Sequence, residues 1–211
     1  MQKQTKTAGR GRTLRLTVTA MLTAILVVMA FTPLGYLRIG ALSLTLLMVP
    51  IIVGAVTQGP AVSAFLGAVF GITSFIQCFT GDVLGSILLS ESAVRAFIVC
   101  FVPRLLAGWL CGVIFSACAK RDPKKRWSVL VASISGSLLN TVLFLGFLAL
   151  FFMNLTFTPE QSASLGGADT VLNTVIAIAA GINAPIELLV CAVLGSAVGK
   201  GVVVALQKIR N

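Results

Sequence analysis

The chain has 211 residues, 57% of them hydrophobic and only 10% charged, with a mean hydropathy of +1.03 and a net charge of +10. A soluble domain of this length has too little interior to hide that much apolar surface, and the apolar runs are long enough for helices rather than barrel strands. Composition thus predicts an all-α membrane protein, and the lack of histidine excludes His-based triads, HExxH zinc sites and imidazole proton relays.

Residues 1–12 are polar and basic, and the first apolar run extends from Leu16 to Phe31. It is long for a signal-peptide core and ends in Ala30-Phe31-Thr32-Pro33, a poor cleavage site, so it reads as an uncleaved first span. Pro33, Gly35, Tyr36, Arg38 and Gly40 mark a turn-rich loop. A second span is expected over Leu42 to Val56, with Pro50 inside it. Thr57-Gln58-Gly59-Pro60 then reads as a tight turn whose proline starts the third span, Ala61 to Phe79. The connector from Thr80 to Ser92 is apolar enough to lie on or dip into a bilayer. The fourth span, Ala93 to about Lys120, carries Pro103-Arg104 in its middle. Trp127 stands where an interfacial anchor belongs, ahead of a fifth span that reaches about Met153. A polar loop follows to Thr170. The last apolar run, Val171 to Leu206, is broken at Gly181-Ile182-Asn183-Ala184-Pro185 and exceeds the ~20 residues one span needs.

These elements make a bundle of six transmembrane helices, a single domain over residues 13–208 behind a basic tail of residues 1–12. Basic residues gather before the first span, between the fourth and fifth (Lys120, Arg121, Lys124, Lys125, Arg126) and at the C-terminal end (Lys200, Lys208, Arg210). The acids Asp82, Glu91, Glu160 and Asp169 occupy the other loops. By the positive-inside rule both termini are cytoplasmic, and the charge is topology information rather than a nucleic-acid footprint. The five cysteines, none in CxxC spacing, read as small buried hydrophobes.

Arg104 and Glu187 are the charges within spans. A charge mid-membrane costs ~2.5–3.5 kcal/mol on insertion scales, so each faces protein or water. At 1.5 Å per residue Arg104 lies ~16 Å inside the outer edge and Glu187 ~20 Å from the inner edge, so the two can pair or hold a solute. Asn140 and Asn183 bring amides to similar depths, and Gln77, Tyr36, Arg38 and Arg95 stand where the mouth of such a site would be. This much hydrogen-bonding capacity suits a small polar organic solute, including an anion recognised by arginine. Glycines four apart at Gly67/Gly71, Gly108/Gly112 and Gly195/Gly199 let helices approach closely. Ala20 and Ala24, widened by Thr19 and Thr23, form a smooth face on the first span, either an internal packing surface or a docking surface for another membrane subunit.

With these features in order, the chain from Thr13 onward resembles the substrate-binding S components of energy-coupling factor (ECF) vitamin transporters. The likeness rests on Ala20-xxx-Ala24, VPIIVGAVTQGPAVSAFLGAVFGITSF (49–75), CFVPRLLAGWLCGVIF (100–115), GSLLNTVLFLG (136–146) and GINAPIE (181–187). The resemblance implies a subunit of a bacterial cell membrane that captures a vitamin from outside. It then docks, through Ala20 and Ala24, on a transmembrane scaffold (EcfT) joined to two ATPases (EcfA and EcfA′), the three forming the ECF module. It also makes Arg104, Asn140, Asn183 and Glu187 pocket residues, Glu187 either in contact with substrate or structural. The pantothenate and folate-like group is the most similar, and pantothenate is favoured, since its carboxylate suits an arginine and its hydroxyls and amide suit asparagines. The chain has Met48-Val49-Pro50 where many relatives have His-Ile-Pro.

No GxxxxGK[ST] is present, so the chain supplies no ATPase of its own, and no motif calls for a metal or cofactor. A stand-alone ion-coupled secondary transporter of a small organic solute is the alternative, with Glu187 as its coupling acid. An intramembrane enzyme lacks the paired aspartates or histidine such chemistry requires, so none is expected.

Overall fold

A computed structural model describes residues 2–32, 35–39, 42–80, 83–122, 126–164, 170, 171, 173 and 183–210. Helix α1 covers Gln2–Ala30, α2 Met48–Gln58, α3 Pro60–Thr80, α4 Val83–Glu91, α5 Ala93–Ala119, α6 Arg126–Phe152, α7 Pro159–Ser164 and α8 Asn183–Arg210. Four described helical stretches are long and apolar enough to cross a membrane: Thr13–Ala30, Pro60–Thr80, Ala93–Ala119 and Trp127–Phe152. Met48–Gln58 and Leu188–Gly199 are shorter apolar helices.

The second predicted span differs from expectation. Its first residues are not helical: β1 (Tyr36–Ile39) and β2 (Leu42–Thr45) pair antiparallel in a hairpin, with Tyr36 opposite Thr45 and Ile39 opposite Leu42. The helix begins only at Met48, which places Pro50 in its first turn, where a missing N–H breaks no helical bond. At 11 residues, α2 is ~16 Å long, too short to cross a bilayer, and it serves as the centre of the fold. Met48 and Pro50 to Val56 are all buried, and Met48, Ile51, Ile52 and Ala55 have no exposed surface. Leu22 and Leu26 of α1, Leu66 and Phe70 of α3, Cys111 and Phe115 of α5, Val129 and Ala132 of α6 and Cys191 of α8 close this core.

Helices α3 and α5 meet backbone to backbone. A Cβ on Gly67 would fall on the Arg104 carbonyl oxygen, one on Gly71 would come within 2.8 Å of the Phe101 Cα, and one on Gly108 would fall on the Ser63 carbonyl oxygen. Two of the three glycine pairs read from the sequence thus form one internal seam. A second apolar cluster caps the opposite end of the bundle from the basic loop. It joins Ile87 and Leu88 of α4, Ala96 and Val99 of α5, Leu148 and Phe152 of α6, Phe157 and Val171.

In the basic loop, the carboxylate of Asp122 accepts from the backbone N–H groups of Trp127 and Ser128 at 2.8 and 3.1 Å. A negative charge at the N-terminus of α6 satisfies orphan donors and favours the helix dipole, which accounts for one acid among the lysines and arginines. Trp127 is 73% exposed, as an interfacial anchor would be.

Because the α3–α5 seam has no room for a side chain, Gly108→Val should destabilise the protein by ~2 kcal/mol or more through overpacking. Thermal unfolding in detergent should show a lowered midpoint. Gly146→Val should leave the midpoint almost unchanged, because a Cβ added at that glycine would meet nothing within 4 Å.

Candidate functional site

The site is built on a defect in α5. Pro103 lies inside that helix and has no N–H, so the carbonyl four residues earlier, on Val99, loses its helical donor. Arg104 supplies the replacement: its Nη1 donates to the Val99 oxygen at 2.8 Å. The guanidinium lies over the Phe144 ring of α6, 4.1 Å from the centroid, with the Phe70 ring of α3 at 5.7 Å. A carbonyl and two aromatic faces offset part of the cost of burying a cation. Val99 belongs to the second apolar cluster and Phe70 to the central one, so Arg104 occupies the junction between them.

Burial at this junction is nearly complete, with Arg104 8% exposed and Asn140 7%. Asn140 precedes Phe144 by one helical turn, so both project from the same face of α6. Arg104 Nε and Asn140 Oδ1 are buried without a hydrogen-bond partner among the described residues. One is a donor and the other an acceptor. The Val99 carbonyl takes the guanidinium at its Nη1 corner, whereas Nε belongs to the side-on edge, which with Nη2 forms the fork that matches a carboxylate. Leaving buried polar atoms unmatched costs ~1–3 kcal/mol each, and a molecule carrying both an anionic acceptor and a donor would match the two.

The other residues predicted for the site divide into three groups. Gln77 and Arg95 act as clasps. Gln77 Nε2 donates to the Ala30 carbonyl, one of the four that the end of α1 leaves without a helical donor, and so ties α3 to α1. Arg95 approaches Glu91 at 3.9 Å, donates to the Phe151 carbonyl at 3.5 Å and lies over the Phe152 ring at 5.5 Å. It lines a cleft of about 260 Å³ with Glu91 and residues 150–155, two and a half helical turns from Arg104 and ~13 Å along the helix. Tyr36 and Arg38 stand on β1, and Asn183 and Glu187 in the first two turns of α8; their side chains lie outside the described residues, as does any pairing of Arg104 with Glu187. Ala20 and Ala24 are exposed on α1, so they take no part in internal packing among the described residues.

Residues 14–197 match the family model described as ECF transporter, substrate-specific component. The chain belongs to that family. It is also 28% identical over 176 residues, 79% of each chain, to the pantothenic acid transporter PanT of Lactococcus lactis subsp. cremoris strain MG1363. The chain is therefore a membrane-embedded transport component, from a family of transporter subunits rather than enzymes.

Sequence reasoning about this ECF substrate-specific component missed Phe144, Phe70 and the Val99 carbonyl. Two of the three had a readable signal. A proline inside a span always frees the carbonyl four residues before it, and an aromatic residue four positions from a buried asparagine shares its face. Phe70 comes from another helix and is placed only by tertiary packing.

Arg95 is 45% exposed and its contacts are those of a surface clasp. Arg95→Ala should therefore lower stability by only ~0.5–1 kcal/mol, read as a small shift in unfolding midpoint in detergent, with helical content unchanged by circular dichroism.

Proposed function

We propose that this substrate-specific component captures pantothenate from outside the cell and delivers it to the cytoplasm in an ATP-driven step after docking on an ECF module. The observation that carries the ligand reading is the pair of unmatched buried atoms, Arg104 Nε and Asn140 Oδ1, around Phe144. Pantothenate supplies a carboxylate for the free edge of Arg104 and hydroxyl or amide N–H donors for Asn140. The pantothenic acid transporter among its relatives supports the same choice. Asn183 and Glu187 complete the pocket from α8, and Tyr36, Arg38, Gln77 and Arg95 border its mouth.

In this reading the transport domain, residues 13–208, crosses the cell membrane six times behind the basic tail of residues 1–12. The hairpin with α2 makes the second crossing, and non-helical backbone at that depth is tolerable where its peptide groups pair with one another, as those of β1 and β2 do. Both termini are cytoplasmic. The basic loop after α5 and the carboxylate cap on α6 lie on the cytoplasmic side as well.

The docking surface is the outward face of α1. Ala20 and Ala24 are exposed there, and the hydroxyls of Thr19 and Thr23 turn back to the carbonyls of Arg15 and Thr19, at 2.9 Å in each case. Their polarity is thereby spent inside the helix, leaving a smooth surface of small residues flanked by exposed Met21, Ile25 and Val28. Such a surface suits close approach by the scaffold subunit EcfT, which couples to the ATPases EcfA and EcfA′.

Arg104→Ala should weaken pantothenate binding to the purified protein by at least ~30-fold while leaving it folded in the membrane, because a buried charged partner is lost. Binding measured by titration calorimetry at wild-type affinity would remove Arg104 from the pocket. Replacing Ala20 and Ala24 together with leucine should abolish ATP-dependent uptake and co-purification with EcfT but leave pantothenate affinity intact. Undiminished co-purification would rule out this face as the contact.

A further inference from the structure

We infer that Phe144 is a positioning residue that sets carboxylate specificity by fixing the plane of the Arg104 guanidinium; the inference rests on the carboxylate reading of the site given above. A single hydrogen bond fixes one point. The Nη1 contact with the Val99 carbonyl, 2.8 Å long, holds one corner of the guanidinium but leaves the group free to turn about that contact. The Phe144 ring, its centroid 4.1 Å from the guanidinium carbon, supplies the second constraint, since a separation that short is one at which ring and guanidinium meet face to face. Face and corner together leave one orientation, in which the buried Nε has no hydrogen-bond partner among the described residues. The ring engages the face of the guanidinium and a carboxylate engages its edge, so the two do not compete. Fixing the fork before the anion arrives removes ordering cost from binding.

Three features of the fold make this a built arrangement. The Val99 carbonyl is available only because Pro103 lacks an N–H, and it is supplied on the same helix as Arg104. The α3–α5 seam, where Gly67 meets the Arg104 carbonyl, fixes the height of the arginine against α3 and brings Phe70 to 5.7 Å. Phe144 lies one turn beyond Asn140, so the residue that aims the donor shares a helix face with the unmatched acceptor. Phe144 is only half-buried, at the margin of the second apolar cluster, so replacing its ring need not cost the fold.

The test compares pantothenate with its alcohol analogue, in which a CH2OH group replaces the carboxylate, as ligands of purified wild-type, Phe144→Leu and Phe144→Tyr proteins. A purely structural role for the ring would weaken both ligands alike. Phe144→Leu should lower pantothenate affinity between about twofold and thirtyfold, the range expected of a cation–π contact, and leave affinity for the alcohol unchanged. Phe144→Tyr, which keeps the ring, should retain the wild-type ratio of the two affinities. If Phe144→Leu lowers both affinities equally, or neither, while the wild type still prefers the carboxylate, Phe144 does not position Arg104. A wild type that binds both ligands equally overturns the carboxylate reading and this role for Phe144 together.

Discussion

The arrangement depends on the backbone contact between α3 and α5. Gly67, Gly71 and Gly108 allow the two helices to approach until peptide groups touch, and any side chain on that seam would force them apart. In a bilayer, where lipid tails offer as much apolar contact as a leucine does, such close packing is the main source of helix–helix affinity. The seam also sets a register. It holds the Arg104 carbonyl against Gly67, and thereby determines which residues of α3 and α6 the arginine side chain can reach.

Around that register the protein places a cation where a bilayer would ordinarily forbid one. The cost is offset locally: a proline removes one hydrogen bond from the helix, and the next residue restores it with its own side chain. Two phenylalanines from neighbouring helices cover the charge. Among the described residues Arg104 Nε and the asparagine oxygen are left unmatched, a condition that native structures rarely leave without a reason.

Much of this was legible in the sequence because long apolar runs have few alternatives. The bounds of α3, α5 and α6 lie within about two residues of those read from hydropathy and turn residues, a margin ordinary for helix ends. The hairpin was not legible. Leu42-Ser-Leu-Thr45 joins without a break to the apolar run of α2, and a short apolar run does not distinguish strand from helix. Pro50 held the missing information, since a proline in a continuous apolar stretch marks a first turn more readily than an interior. Arg104 and Asn140 were singled out by their type and position along their spans, and the fold buries both. The clasps that Gln77 and Arg95 make across helices were not, because the hydrogen bonds that form them go to backbone carbonyls at helix ends, which carry no signature in side-chain sequence.

The first helix has a mechanical consequence of its own. Midway along it, Arg15 and Gln58 exchange bonds with each other's backbone, Nη2 to carbonyl at 3.2 Å and Nε2 to carbonyl at 3.1 Å. At its end, the Ala30 carbonyl is held by Gln77. Between these two fastenings, ~22 Å apart along the axis, most of the helix surface is uncovered. Between them Leu22 and Leu26 press the inner face of the helix into the core, so a load on its outer face is shared between that core and the two fastenings. Force applied near Ala20 and Ala24 would therefore reach the α2–α3 turn and the far end of α3 directly, and α3 is the helix whose seam holds the arginine in place.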